Sequence, residues 1–278
     1  MTSSVLITGC SSGIGRDMAF GLRAEGWRVF ASCRKQADCD ALVAQGFDSP
    51  CIDYADPDSI CGGLSEVLEA TGGTLDALVH NGAYSIPGAV EDLPTDALRA
   101  IFEANVFGWH DLTRRVVPVM RAQGRCGAGR IVMISSVLGL VPLPMRGAYV
   151  ASKFALEGLA DTLRIEMRDT GIDIITVEPG PITSHFRINA AQQFERWIDW
   201  RASARASHYE RRLMPRLYGD RSKDAFERPA SAVTTKVARA LQVKRPAPRY
   251  YVTTPTYALA FARRVLPTRA LDWLIAKG

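Results

Sequence analysis

Tyr149 and Lys153 stand four residues apart at the start of a helical pattern over 148–170, so both side chains fall on one helix face a turn from each other. A tyrosine beside a fixed ammonium has its phenolate stabilised, which lowers its pKa from about 10 and lets it exchange a proton near neutrality. Pairs at this spacing also occur as surface decoration, so the pair alone assigns nothing. Ser136 precedes Tyr149 by thirteen residues, just after the apolar run 130–135. Asn105 lies upstream in Asn105-Val106-Phe107-Gly108, within the helical stretch 95–123. Hydride arriving at a carbonyl builds negative charge on its oxygen, and neighbouring hydroxyls can stabilise and then protonate it.

A second feature sits at the N-terminus. The run Thr8-Gly9-Cys10-Ser11-Ser12-Gly13-Ile14-Gly15 follows a short apolar segment and opens a helix with Ile14, Met18 and Leu22 on one face. Glycines let a backbone turn sharply and approach a pyrophosphate, whose charge then meets the free N–H groups of the helix. A tight strand–helix turn without any ligand is the plainer reading of the same residues.

Positioning these groups requires alternating strands and helices. Val- and Ile-rich runs predict strands at 3–8, 27–33, 50–53, 75–80, 130–135, 172–178 and 249–253. Helical patterns fall near 14–25, 57–70, 95–123, 148–170 and 230–242; in 148–170, Ala151, Ala155, Leu159 and Leu163 mark one apolar face. Such continuously apolar strands predict a parallel sheet covered on both faces, a doubly wound α/β fold of Rossmann type. No linker divides it, so 1–278 is read as one domain. Two regions break the alternation: an aromatic- and charge-rich stretch over 185–228 and a tail over 254–278. Phe194, Trp197 and Ile198 form a helix stripe in the first, which serves either to pack it down or to contact an apolar substrate.

Taken together, these residues resemble the short-chain dehydrogenase/reductase family over roughly the first 185 residues. The resemblance rests on the glycine turn, Asp53, Asn105, Ile134-Ser135-Ser136, Tyr149-Val150-Ala151-Ser152-Lys153 and Pro179-Gly180-Pro181-Ile182. It implies that Tyr149 is the proton donor or acceptor, that Ser136 hydrogen-bonds the substrate oxygen, and that Lys153 binds the nicotinamide ribose and tunes Tyr149. Asn105 would hold a water that relays protons. Cofactor contacts would come from Gly9, Ser11, Ser12, Gly13, Ile14 and Gly15, then Arg34, Asp53, Tyr54, Asn81 and Gly82. Tyr149, Lys153, Pro179, Gly180, Ile182 and Ser184 would complete them. Ser135 is the other candidate serine, as a strand-end hydrogen bonder, and Thr183 competes with Ser184. The family's Asn-Ala-Gly stands here as Asn81-Gly82-Ala83, preceded by His80, which reads as a packed structural histidine. By the same resemblance, 185–228 is the substrate lid. The two long helical stretches would pair subunits into a homodimer or homotetramer.

Cofactor choice is read at the end of the second strand, where an acid suits a ribose hydroxyl and an arginine suits a 2′-phosphate. Ser32-Cys33-Arg34-Lys35 offers no acid before Asp38, so NADP is expected, with a solvated Arg–Lys pair as the alternative. The expected activity is NADP(H)-dependent interconversion of a carbonyl and an alcohol on a small or medium apolar substrate; the competing class is a regulator that binds NADP(H) without turnover. The net charge of +5 is too small to argue for nucleic acid. Six cysteines without a C-x-x-C pair and four histidines predict neither a disulfide scaffold nor a metal site. No signal-peptide pattern opens the chain, and a cytoplasmic location is expected. Tyr257 and Phe261 share a helix face near Arg263 and Arg264, which suits a membrane surface or docking of the tail onto protein.

Overall fold

The computed structural model describes residues 2–124, 129–219 and 225–277. In chain order the elements are β1 (Ser4–Ile7), α1 (Gly13–Ala24), β2 (Arg28–Ala31), α2 (Gln36–Val43), α3 (Pro57–Thr71) and β3 (Ala77–His80). Helix α4 (Thr95–Phe102) runs through a π turn at Glu103–Phe107 into α5 (Gly108–Ala122). Then come β4 (Gly129–Ile134), α6 (Gly147–Glu166), β5 (Ile172–Glu178), α7 (Phe186–Trp197), α8 (Ala206–His208) and α9 (Met214–Tyr218). The chain closes with α10 (Ser231–Gln242), β6 (Arg249–Tyr251), α11 (Thr254–Val265) and α12 (Thr268–Lys277). Cys126, one of the six cysteines, lies outside the described residues; the other five are free thiols.

All six strands pair in parallel, in the order β2-β1-β3-β4-β5-β6. The chain therefore starts in the middle of the sheet, moves to one edge, and returns to build the other half. Carboxyl ends of β1 and β3 flank the reversal, where open α/β sheets bind ligands. On one face Met18, Ala19 and Leu22 of α1 and Val233 and Val237 of α10 pack on Val5, Ile7 and Val79. On the other, Leu64 and Val67 of α3, Leu112 and Val116 of α5, and Leu156 of α6 cover Leu6, Leu78 and Ile131. Each fully buried side chain of this size contributes about 1.5–3 kcal/mol, which fixes the strand ends where the site must form.

Two expectations are corrected. Residues 50–53 form no strand; only isolated bridges, Phe30 with Asp48 and Cys33 with Cys51, extend the sheet there. Pro50 cannot donate to a ladder, which breaks the pairing between those bridges. The apolar stripe of α6 is also not its buried face. Ala151 and Leu159 are exposed, whereas Tyr149, Ser152, Lys153, Leu156 and Ala160 point inward. Polar side chains with partners inside the fold outrank the apolar period.

Candidate active site

The glycine turn is built by contact. Gly9 and Gly13 adopt left-handed backbone (φ +69° and +56°). A methyl group on Gly9 would lie 2.6 Å from the Gly82 Cα, and one on Gly15 only 2.2 Å from the Gly9 carbonyl oxygen. Asn81 donates through Nδ2 to the carbonyls of Thr8 (3.0 Å) and Gly9 (3.2 Å). The Thr8 hydroxyl accepts from the N–H groups of Asn81 and Gly82 at 3.0 and 3.2 Å. Ser12 caps α1 without a side-chain hydrogen bond, and the first turn of the helix carries no acid. A concave backbone without Cβ atoms, aimed at the uncapped N-terminus of a helix, fits the pyrophosphate of a dinucleotide.

The remaining expected cofactor residues lie on several elements, and Ser184 is the one among them that meets the turn directly. Ser11 is exposed beside it, while Ile14 and Ile182 pack partly against the first core. Gly13 faces Ser184, whose Cβ would sit 3.1 Å from an added methyl, and Ser184 Oγ accepts from the Phe186 N–H (3.4 Å). Thr183 instead donates to Glu227 (2.5 Å). The Pro179 carbonyl accepts from Val137 N–H (2.8 Å), and Gly180 leaves no room for a side chain beside Thr253. Arg34 and Lys35 are exposed at the end of β2. Asp53 accepts from the Ala55 N–H (3.0 Å), the turn geometry of an aspartate opening a loop. Tyr54 is buried, its hydroxyl 2.8 Å from Thr8 Oγ1 and 2.6 Å from His80 Nδ1. The imidazole also lies 2.9 Å from Thr113 Oγ1 and stacks on Trp109. Burial, with the Lys153 charge second, pushes the His80 pKa down to about 3, so this histidine stays neutral and structural.

Ser136, Tyr149 and Lys153 converge at the ends of β4 and α6. The Ser136 hydroxyl faces the Tyr149 phenol closely enough to favour its anion, and accepts from the Leu138 N–H (3.1 Å). Ser135 lies instead beside the Glu157 carboxyl. Lys153 is fully buried; Nζ donates to the Ile134 carbonyl (2.9 Å) and stands 4.5 Å from the Trp109 ring centre and 5.6 Å from that of Tyr149. Asn105, also fully buried, projects from the π turn. Its amide donates to the Tyr84 carbonyl (2.9 Å) and Ser152 Oγ (3.2 Å), and its oxygen accepts from Tyr84 N–H (3.1 Å). Ser152 in turn donates to the Tyr149 carbonyl (2.8 Å).

The expected lowering of the Tyr149 pKa is not what this arrangement gives by itself. Burial raises it well above the ordinary value, and the Ser136 contact offsets only part. Burial likewise pulls Lys153 down to about 7, with Glu157 opposing. Desolvation outweighs the contacts that favour each charged form, Ser136 for Tyr149 and Glu157 for Lys153.

A buried ionic cluster behind Lys153 escaped the sequence reading. One Nη1 of Arg249 on β6 donates to both Glu157 (2.6 Å) and Glu178 (2.9 Å), and its Nη2 donates to Asp161 (2.7 Å). Thr176 also donates to Glu178 (2.6 Å). Burial first, then Glu157, pushes Glu178 up to about 7. Glu157 lies one turn beyond Lys153, and Glu178 immediately precedes Pro179-Gly180, so the cluster braces α6 against the loop after β5. The four-residue series Lys153, Glu157, Asp161 was the available signal.

Over the site, Phe194, Ile198, Tyr209, Leu213 and Leu217 form a third core with Ile86, Ile101 and Tyr149. Phe186 meets Tyr149 edge-on at 5.3 Å. The tail docks through Thr256, Ala260 and Leu271, with Tyr257 and Phe261 left outward. Among the described residues no helix is long and apolar enough to cross a membrane, and no His, Cys, Asp or Glu group could hold a metal.

A six-stranded parallel sheet with a glycine turn at its reversal and a Ser–Tyr–Lys constellation beside it defines a nucleotide-binding oxidoreductase. The family model for short chain dehydrogenases matches residues 3–194, and the chain belongs to that family. It is 37% identical over 276 residues to the uncharacterized oxidoreductase YbbO of Escherichia coli, covering 99% of this chain and 94% of that one. It is 29% identical to an NADPH-dependent 3-dehydrocapnine reductase of Ornithobacterium rhinotracheale, covering 98% and 95%. A short-chain dehydrogenase structure from Streptomyces avermitilis superposes with a TM-score of 0.77 at 27% identity, over 100% of this chain and 94% of that one.

Proposed function

We propose that this oxidoreductase interconverts a carbonyl and an alcohol on a mainly apolar small molecule, using NADP(H). The convergence of Ser136, Tyr149 and Lys153 under an apolar cover carries the reading. A bound nicotinamide would supply or accept the hydride. Tyr149 gives its phenolic proton to the substrate oxygen in reduction and takes it back in oxidation, while Ser136 hydrogen-bonds that oxygen. Lys153 would hold positive charge where the phenolate forms and would hold the ribose hydroxyls of the bound cofactor. Asn105 fixes the backbone of Tyr84 and, through Ser152, that of Tyr149.

The NADP preference is supported by exposed Arg34 and Lys35 at the β2 end and by the NADPH dependence of the Ornithobacterium relative. Residues 220–224 of the expected lid lie outside the described residues; the rest of 185–228 serves as the cover of the substrate pocket. Exposed Phe107, Phe154, Leu159 and Ile165 on the π turn and α6 suit pairing of two copies through these long helices. A regulator that only held NADP(H) would have no use for a buried proton-handling set. Oxidation of NADPH followed by absorbance, across a panel of ketones and aldehydes, tests the reading; no turnover with any carbonyl or alcohol, by a protein that binds NADPH, refutes it.

A further inference from the structure

Arg146 is the residue before α6, three positions ahead of Tyr149. Its backbone is held tightly. Met145, the residue before it, has φ +61° and is the only non-glycine in the left-handed region among the described residues. Such strain persists only where the surroundings impose it, and it gathers at functional sites. Here the Met145 carbonyl accepts from Gly88 N–H (3.0 Å), and Gly88 bridges to Arg146. Gly88 itself lies under the cover: a methyl on it would sit 3.0 Å from Ile198 and 3.5 Å from the Tyr209 hydroxyl. Met145 packs on the third core with Tyr149, Phe194 and Tyr209.

Within this apolar setting the Arg146 guanidinium has no counter-charge. Nη1 is buried without a hydrogen-bond partner, and no carboxylate pairs with Arg146 among the described residues. The charged neighbour that acts on it is another cation, Arg216 of α9, and burial with that repulsion pushes its pKa down to about 10. The fold treats its structural arginines differently. Arg249 is met by three carboxylates, and Arg130 by Asp173 and two carbonyls. Arg146 as a whole is half-buried, but an N–H group buried without a partner is costly, and native proteins rarely keep one without a ligand to answer it.

We infer that the substrate carries an anionic group, a carboxylate or a sulfonate at one end of an apolar body, and that Arg146, with Arg216 from the cover, pairs with it. The inference rests on the carbonyl-reducing reading above and adds the specificity-determining residue. A planar guanidinium takes such a group with two parallel hydrogen bonds, and a charge met only on binding favours the ligand that brings it. Placed three residues from Tyr149 on the same helix start, it would orient the chain so that the carbonyl reaches the phenol.

The test compares nonanal with azelaic semialdehyde, the same chain ending in a carboxylate, as substrates of the NADPH-loaded protein. In parallel, calorimetry compares octanoate, octanamide and inorganic sulfate on the NADP-loaded protein, where no turnover is needed. The anionic member of each organic pair should be favoured by at least about tenfold, sulfate should bind far more weakly than octanoate, and Arg146→Met should bring each ratio to about one or below. Arg146→Lys should restore part of the preference. Because it removes a half-buried cation with an unanswered buried N–H group, Arg146→Met should not lower the melting temperature of the ligand-free protein, whereas loss of a structural arginine would. No anionic preference in the wild type, a preference that survives Arg146→Met, or sulfate binding as tightly as octanoate would each overturn the inference. Nonanal turnover without anionic preference would overturn it alone; octanoate preference without any turnover would reject the carbonyl-reducing reading and leave only the anion-binding role of Arg146 standing.

Discussion

Replacing Arg249 by leucine should destabilise the protein by about 3–5 kcal/mol near pH 8, because it leaves two buried carboxylates without their cation. The geometry locates the cost. One Nη1 serves Glu157 at 2.6 Å and Glu178 at 2.9 Å, and these side chains are only 8% and 0% exposed. The third pair, to Asp161, is 43% exposed on the acid's side and contributes little. In a chain of this length the loss corresponds to a fall in Tm on the order of 10 °C. The penalty must depend on pH. Glu178 already titrates at about 7 in the folded protein, above its ordinary value. A carboxyl with a raised folded pKa contributes stability that is complete below the unfolded value and lost as pH rises through the folded one. Without Arg249 both carboxyls rise further, so the variant should lose stability from about pH 5 to about pH 8 more steeply than the wild type. Urea unfolding followed by circular dichroism at both ends of that range gives the two differences. A penalty below about 1 kcal/mol near pH 8, the range of an exposed pair, or one that fails to shrink near pH 5, would refute the account of this cluster.

The other expectations concern the site itself. Tyr149→Phe should lower turnover by at least about a hundredfold while keeping NADPH affinity, measured by absorbance and by fluorescence titration; near-normal turnover would reject Tyr149 as the proton carrier. Arg34→Asp should reverse a preference for NADPH over NADH of about tenfold or more, and equal affinities in the wild type would remove Arg34 from that role. Since burial lowers Lys153 to about 7, the folded protein loses this proton before the unfolded chain does. Stability without cofactor should then rise by up to about 1.4 kcal/mol per pH unit above that value, through this residue. Lys153→Met should flatten the rise; an identical slope in both proteins would show that Lys153 is not desolvated as described.

Much of this architecture was open to a reader of the residues. Val and Ile runs locate all six strands, and the spacing of Gly9, Gly13 and Gly15 locates the turn, because these features depend on local backbone preference. The strand read at 50–53 fails because pairing is a property of two segments, and Pro50 withholds its half. The exposed face of α6 was misread for a related reason. Apolar period reports burial only when inward polar residues lack partners, and Ser152, Lys153 and Glu157 find theirs on elements far along the chain. The same distance hides the Arg249 cluster, whose carboxylates lie 71 to 92 residues before the arginine. Thr8 was legible only as the end of a strand; that its hydroxyl collects four partners requires β1, β3 and Tyr54 to be in place.

The π turn at Glu103–Phe107 acts as a phase shifter within what is otherwise one long helix. An α-helix advances about 100° per residue, so the one additional residue of a wide turn offsets everything after it by that angle. Before the turn, Ala97 and Ile101 of α4 face the third core, with Tyr149. After it, Trp109, Leu112, Val116 and Met120 of α5 face the second core, under the sheet. A single rod thereby serves two compartments that a regular helix would bring out of register, and Asn105 sits at the step. Removing one residue here would rotate one half relative to the other, turning either the wall of the third core or the sheet's cover toward solvent. The segment is thus a register mark for the whole site as well as the mount of one side chain.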